Sequence, residues 1–485
     1  MKKLILFCIL SILIYRCSSD DEGLNVENDF DYGITLGTQE QVNAFGANNY
    51  TTVQGSLIIG DQGIYGTSED NILDIVDLTP LSTITQITGQ LIIDGNPILE
   101  SLNGLENLST IGLGLEIYSN DNLINLDGLE GLTDVNAEAY PNRGLSIDFN
   151  PSLISLSGLI NLKNCEVLEI SHNSSLTSLV GLGNVESVST LSIAFDNSLT
   201  SLNGLEGLRT ITDEFSIYDT SISSIEALSN LDPQSIDRIM IFDNDNLSSL
   251  NGLQSITSVS SYMRIEGNNG LLTLNGLENL EGINTIFIES NPLLNSLDAF
   301  ESLISESVNT IRIRNNENLS SIEGLTGITN IEEILDVSFN NNLTSLQGLE
   351  NVQIAKSIDI TSNPKLQSIS PLQNIQSSAT IRIQDNALLT SLEGLDNITE
   401  IGQALIINSN PLITSLDNLS SLNRVTEINI FDGFFIGLFI QNNGNLNDLC
   451  SLQTALQNNL PLNASIYGNS FNPSMQDVLD GNCSQ

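Results

Sequence analysis

The sequence predicts an all-β-leaning repeat solenoid: a parallel β-sheet coil with short 3₁₀ or extended outer segments and small capping helices. Three observations carry this. The spacing of LEIYSNDNLINLDGLEGL, Leu115 to Leu132, recurs as IFIESNPLLNSLDAFESL from Ile286 and as LIINSNPLITSLDNLSSL from Leu405. An Asn or a polar stand-in falls at one point of every repeat, and most steps between these positions are 23 or 24 residues. After each Asn the apolar residues come every third position. A fixed period of this size means that each repeat is too small to fold alone and buries its apolar side against the next coil.

Each part of a repeat has a physical reading. Leu115-Glu116-Ile117 is a short strand with alternate residues inward, and one such strand per coil builds a long parallel sheet. The Asn stands where the chain leaves the strand and turns inward. Its amide both donates and accepts, so it can satisfy turn backbone that water no longer reaches. The series runs from Asn96 and Asn120 to Asn410 and Asn443, with Asp196 and Thr220 as stand-ins able to do part of the job. Beyond it, Leu123, Leu126, Leu129 and Leu132 would be smeared across half an α-helix, whereas a three-per-turn or extended segment keeps them on one side. Gly128 and its equivalents, among them Gly104, Gly276 and Gly324, argue further against helix.

These residues carry a resemblance. The frame Leu108, Ile111, Leu115, Ile117, Asn120 resembles leucine-rich repeats, and the SLxGLxNL segment is similar to receptor L domains and their relatives on bacterial surfaces. DIVDLTPLSTIT, Asp74 to Thr85, and SISPLQNI also resemble internalin-like repeats. The resemblance covers roughly residues 57 to 443 and rests on core positions, so it implies a leucine-rich-repeat, receptor L-domain-like coil and says little about a ligand.

In chain order, residues 1–16 read as a lipoprotein signal peptide, with Lys2 and Lys3 before an apolar run too short to span a bilayer. Ile14-Tyr15-Arg16-Cys17 resembles a bacterial lipobox with Arg16 in the place of a small residue, which implies lipidation of Cys17. CSSDDE resembles the export tags of Bacteroidetes surface lipoproteins. Residues 17–37 suit an acidic tether. Residues 38–56 form the N-terminal cap, in which Thr38 and Gln41 make a capping-box pair and Gly46 a stop.

The solenoid occupies 57–445, with fifteen or so coils at roughly 4.8 Å each giving a sheet about 70 Å long. Two steps are longer than their neighbours. One contains NAEAYPNRG, Asn136 to Gly144, and the other IFDGFFIG, Ile430 to Gly437, with Phe431, Phe434 and Phe435. Such insertions either bind partners or pack over the core. Residues 446–485 lose the repeat and form the C-terminal cap: a helix near NDLCSLQTALQNN, a strand ASIY, and NPSMQDVL with Asn472 and Pro473 at the N-cap and first turn. Cys450 and Cys483 are placed to staple this cap as a disulfide in an oxidising compartment, and Cys165 reads as a buried small apolar residue.

The formal net charge is −45; without residues 1–16 there are 11 basic against 59 acidic residues, or −48. That excess argues against nucleic acid and anionic membrane as partners and suits a soluble surface protein. FDNDN brings Asp243 and Asp245 together but lacks a calcium-loop pattern, so no metal or other cofactor is expected. Catalysis has little support: His172 is the only His, and no phosphate loop or metal-spaced cluster occurs.

On each strand, the residues after the two apolar positions point away from the core. They place Arg264, Arg312, Arg314 and Arg382 on the sheet face, either offset by Asp336, Asp359 and Glu289 on adjacent strands or forming a stripe for an anionic partner. Tyr118, Phe149, Phe195, Tyr218 and Phe242 form an aromatic patch suited to a sugar or an apolar side chain. The expectation is a non-catalytic, monomeric recognition or adhesion protein of the outer membrane, lipid-anchored and displayed at the surface, binding a protein or glycan. The alternatives are secretion, an envelope scaffold without a ligand, or a carbohydrate-active enzyme.

Overall fold

The computed structural model describes residues 33–60, 74–136, 144–425, 437–459 and 463–485. The signal segment, Cys17, most of the tether, the core of the NAEAYPNRG loop and the Phe-rich insertion lie outside the described residues.

Among the described residues one 25-stranded sheet runs through the structure, with its strands paired in parallel. The register links equivalent positions coil by coil, as in Leu115↔Leu145↔Leu168↔Leu191 and later Ile286↔Ile311↔Leu335↔Ile358. All these residues are fully buried, and they join the outer-wall leucines in one continuous apolar cluster from Leu36 to Cys483. The outer wall is made of turns and 3₁₀ segments such as Ser157–Leu159, Glu323–Leu325 and Asp417–Leu419. The three-residue apolar period is the reason, because a 3₁₀ turn keeps Leu156, Leu159 and Leu162 facing the core together.

The glycines of that wall do more than discourage helix. A Cβ on Gly128, whose φ is +109°, would stand 2.0 Å from the Leu102 carbonyl oxygen of the preceding coil. A Cβ on Gly324 would stand 1.9 Å from that of Leu297. Coil-on-coil contact therefore admits no side chain there.

The Asn series is a hydrogen-bonded ladder. Asn291, fully buried, donates through Nδ2 to the carbonyls of Ile265 (2.9 Å) and Glu289 (3.0 Å). Its Oδ1 accepts from the backbone N–H of Asn268 at 3.1 Å. The same pattern recurs at Asn120, Asn150, Asn363 and Asn443. The stand-ins behave differently. Asp196 accepts from the Asn173 N–H, but its Oδ2 has no partner, and Thr220 bonds forward to Asn244.

Three details depart from the sequence expectations. Gly33–Leu36, assigned to the tether, is a sheet strand paired with Ser56–Gly60, because Leu36 alternates into the core. A second row of two-residue strands, including Thr110–Ile111 and Asp134–Val135, accompanies the main row. From Ser187–Ala194 onward most coils fuse the two rows, several through bulges, while Gly282–Ile283 and Arg424–Val425 stay separate. At the C-terminal cap, the helix Met475–Leu479 starts from Ser474 in a capping box with Asp477, not from Asn472. Asn472 instead stands in for the next ladder residue, accepting from the Asn469 N–H at 2.9 Å.

The N-terminal helix Gln39–Gly46 has the expected Thr38/Gln41 capping box. Cys450 and Cys483 form a disulfide that ties the last residues to the final coil. Cys165 is free and buried, its thiol pushed up to about 12 by burial, so it is an inert packing residue. Among the described residues no helix is long and apolar enough to cross a membrane.

Candidate functional site

The residue before each ladder position adopts a left-handed backbone, as the chain turns inward off the strand. Gly95, Ser119, Asp219, Asp243 and Asn315 fill it with small or locally hydrogen-bonding side chains, which suit that conformation. Three consecutive coils depart from this. Phe149 (φ 54°), His172 (φ 56°) and Phe195 (φ 57°) carry rings there, as does Phe339 farther along.

These rings stack in one column. Phe149 and His172 lie 4.1 Å apart at 8°, and His172 and Phe195 lie 4.5 Å apart at 23°. Tyr118 meets Phe149 edge-on at 5.4 Å. His172 has both faces covered, so the column presents ring edges outward. Tyr118 and Phe149 remain 42% and 41% exposed. Sequence reasoning named Phe149 and Phe195 but set His172 apart as a turn residue. The step of 23 residues from 149 to 172 and again to 195 was the signal that aligns it. His172 Nδ1 is 3.0 Å from Asp148 Oδ1, which fixes the ring's rotation.

Tyr218 and Phe242 form a second aromatic pair, 5.0 Å apart. It continues into the arginines: Arg264 lies over Phe242 (5.4 Å) and Phe287 (5.9 Å), and Arg312 over Phe287 (5.3 Å). Phe287 thus belongs to the strip, which the aromatic grouping in the sequence did not include. Arg382 stands three strands beyond Arg314, paired with Asp359 at 3.4 Å.

The arginines face carboxylates. Arg264 is 2.7 Å from Glu266, Arg312 is 3.7 Å from Glu289 and 3.8 Å from Asp336, and Arg314 bonds Asp336 directly. Burial pushes Glu289 above the ordinary carboxylate range, and Glu266 adds to this, while the arginines pull it back. Asp336 is 1% exposed, so Arg314→Glu leaves a buried carboxylate facing another negative charge. We expect this substitution to destabilise the fold by roughly 2–4 kcal/mol in urea titration, independent of any ligand.

The first half of the face is acidic. Glu116, Asp148, Glu169 and Glu214 project from strands of the same sheet. Burial raises Glu169, and repulsion from Glu214, Asp148 and Glu116 adds to it. Among the described residues no cluster of His, Cys, Asp and Glu is arranged to hold a metal ion.

Residues 49–165 match the receptor L domain family. Together with the ladder and the parallel coils, this makes the fold plain. It is a leucine-rich-repeat solenoid. Similar solved structures include a leucine-rich-repeat protein of Leptospira interrogans, 17% identical, covering 77% of this chain and 94% of that one, with a TM-score of 0.33. The functional domain of InlJ from Listeria monocytogenes, which includes a cysteine ladder, is 16% identical over 79% of this chain and 73% of that one, with a TM-score of 0.26. A TLR13–ssRNA13 complex is 15% identical over 78% and 74%, with a TM-score of 0.18. No curated protein matches the sequence.

Proposed function

We propose that this leucine-rich-repeat chain is a non-catalytic recognition protein that binds a protein or glycan partner on the open face of its sheet. In this reading it is exported, anchored through lipidated Cys17 at the outer membrane surface, and acts as a monomer without cofactor or nucleic acid. The observation that carries the reading is the ring column at left-handed positions. Each bulky residue there costs about 1 kcal/mol relative to glycine, and stacking returns a similar amount. The fold gains little from rings that small residues replace in other coils. Backbone strain concentrated on rings that keep part of their surface open to solvent is the pattern of a contact surface.

The experiment is capture of partners from a polysaccharide panel and from neighbouring-cell proteins by the protein from residue 18 onward. Phe149→Asn and Phe195→Asn are expected to leave the melting temperature nearly unchanged and to remove capture. A fall in melting temperature with capture intact would make the column structural. The paired arginines support a second reading for their half of the face, as charge offset within a scaffold.

A further inference from the structure

The strand Ser187–Ala194 presents only small residues on the sheet face: Thr190, Ser192 and Ala194. Glu169 stands on the strand to one side, in register with Ser192. On the other side are Glu214, Ser216 and Tyr218, in register with Thr190, Ser192 and Ala194. The result is a trough one strand wide, with carboxylates on both sides and the ring edges of His172 and Phe195 at its end.

Two features of the trough lack partners. Among the described residues Glu169 forms no ion pair, while Glu214 has Arg238 at 3.5 Å. Ser216 is fully buried, and its Oγ has no partner at full hydrogen-bond geometry; strand alternation turns it toward the same face as Glu214 and Tyr218, with which it interacts only weakly. A buried hydroxyl left unpaired beside a carboxylate without a counter-ion is an acceptor set in want of a donor. Burial also pushes the Tyr218 hydroxyl up, with Glu214 adding to it, so that phenol stays neutral; it donates to Met240 Sδ at 3.3 Å and its oxygen can still accept.

We propose that this trough receives the cationic side chain, lysine or arginine, of a polypeptide partner. The aliphatic stem lies along the ring edges of the column, and the charged head reaches Glu169, Glu214 and the Ser216 hydroxyl. The inference deepens the sheet-face reading above and rests on it, naming the partner as a basic polypeptide segment.

The test measures binding of a fluorescent peptide of alternating lysine and serine to the full chain by anisotropy, beside the same peptide with its lysines acetylated. Glu169→Gln is expected to weaken binding about tenfold, and Ser216→Ala to weaken it by a smaller factor. Both should keep the melting temperature, since Glu169 is exposed to solvent and Ser216→Ala removes an unsatisfied hydroxyl. Glu323→Gln with Glu350→Gln, on the outer wall, controls for the overall negative charge and should change binding little. Acetylation should abolish it. Equal losses from the outer-wall and trough variants, or undiminished binding to Glu169→Gln, overturn the assignment. If the lysine peptide fails to bind while Phe149→Asn still removes capture of another partner, the cation assignment falls and the sheet-face reading stands.

Discussion

Asp196→Asn should stabilise the protein, and by more at pH 8 than at pH 4. Asp196 occupies a ladder position with no exposed surface, and burial pushes its carboxyl up to about 7 from an ordinary 3.8, with Asp148 adding repulsion. The Asn173 N–H bonds to Oδ1 at 2.6 Å, while Oδ2 is unpartnered. By the pattern of its neighbours, Oδ2 takes the place of an amide donor against backbone carbonyls. Only the protonated carboxyl can donate there. The folded chain therefore holds a proton that the unfolded chain releases. The penalty is absent below about pH 4, grows from there to about pH 7, and is complete above it. Three pK units correspond to about 4 kcal/mol, and asparagine carries none of this. Urea midpoints of the two proteins across pH 4 to 8 check it: the gap should widen with pH and level off. A gap that stays constant or narrows would mean that Asp196 is not the weak rung.

Asn291→Leu should do the opposite. The substitution keeps the branched shape of the side chain and removes both functions of the amide at a fully buried site, leaving the Asn268 N–H and the Ile265 carbonyl unpaired. Two buried backbone groups without partners cost about 3–5 kcal/mol together. Because each coil touches only its neighbours, the damage should be local. Hydrogen exchange should accelerate at Asn268 and its adjacent coils and remain slow near Leu115. A loss under about 1 kcal/mol would mean that water or relaxed backbone replaces the amide.

Much of this was readable in the residues. The Asn and Leu positions repeat because every coil meets the same neighbours, so the 23 to 24 residue step revealed the ladder, the sheet and the 3₁₀ wall together. Parallel register also made Arg312 beside Asp336 legible. What escaped depends on side-chain direction or on inter-coil distance. The Arg314 bond to Asp336 runs diagonally between strands, so register alone does not give it. The closeness of Gly128 to Leu102 is a property of stacked coils, invisible in one repeat. His172 looked like an isolated histidine because its ring neighbours are 23 residues away in each direction.

Hydroxyl-radical footprinting of the chain with and without a captured partner tests the sheet-face claim most directly. Protection should concentrate on Tyr118, Phe149, His172 and Phe195, with the leucine-lined outer wall unchanged. Undiminished oxidation of those four rings, with protection on the outer wall or the caps, would contradict it.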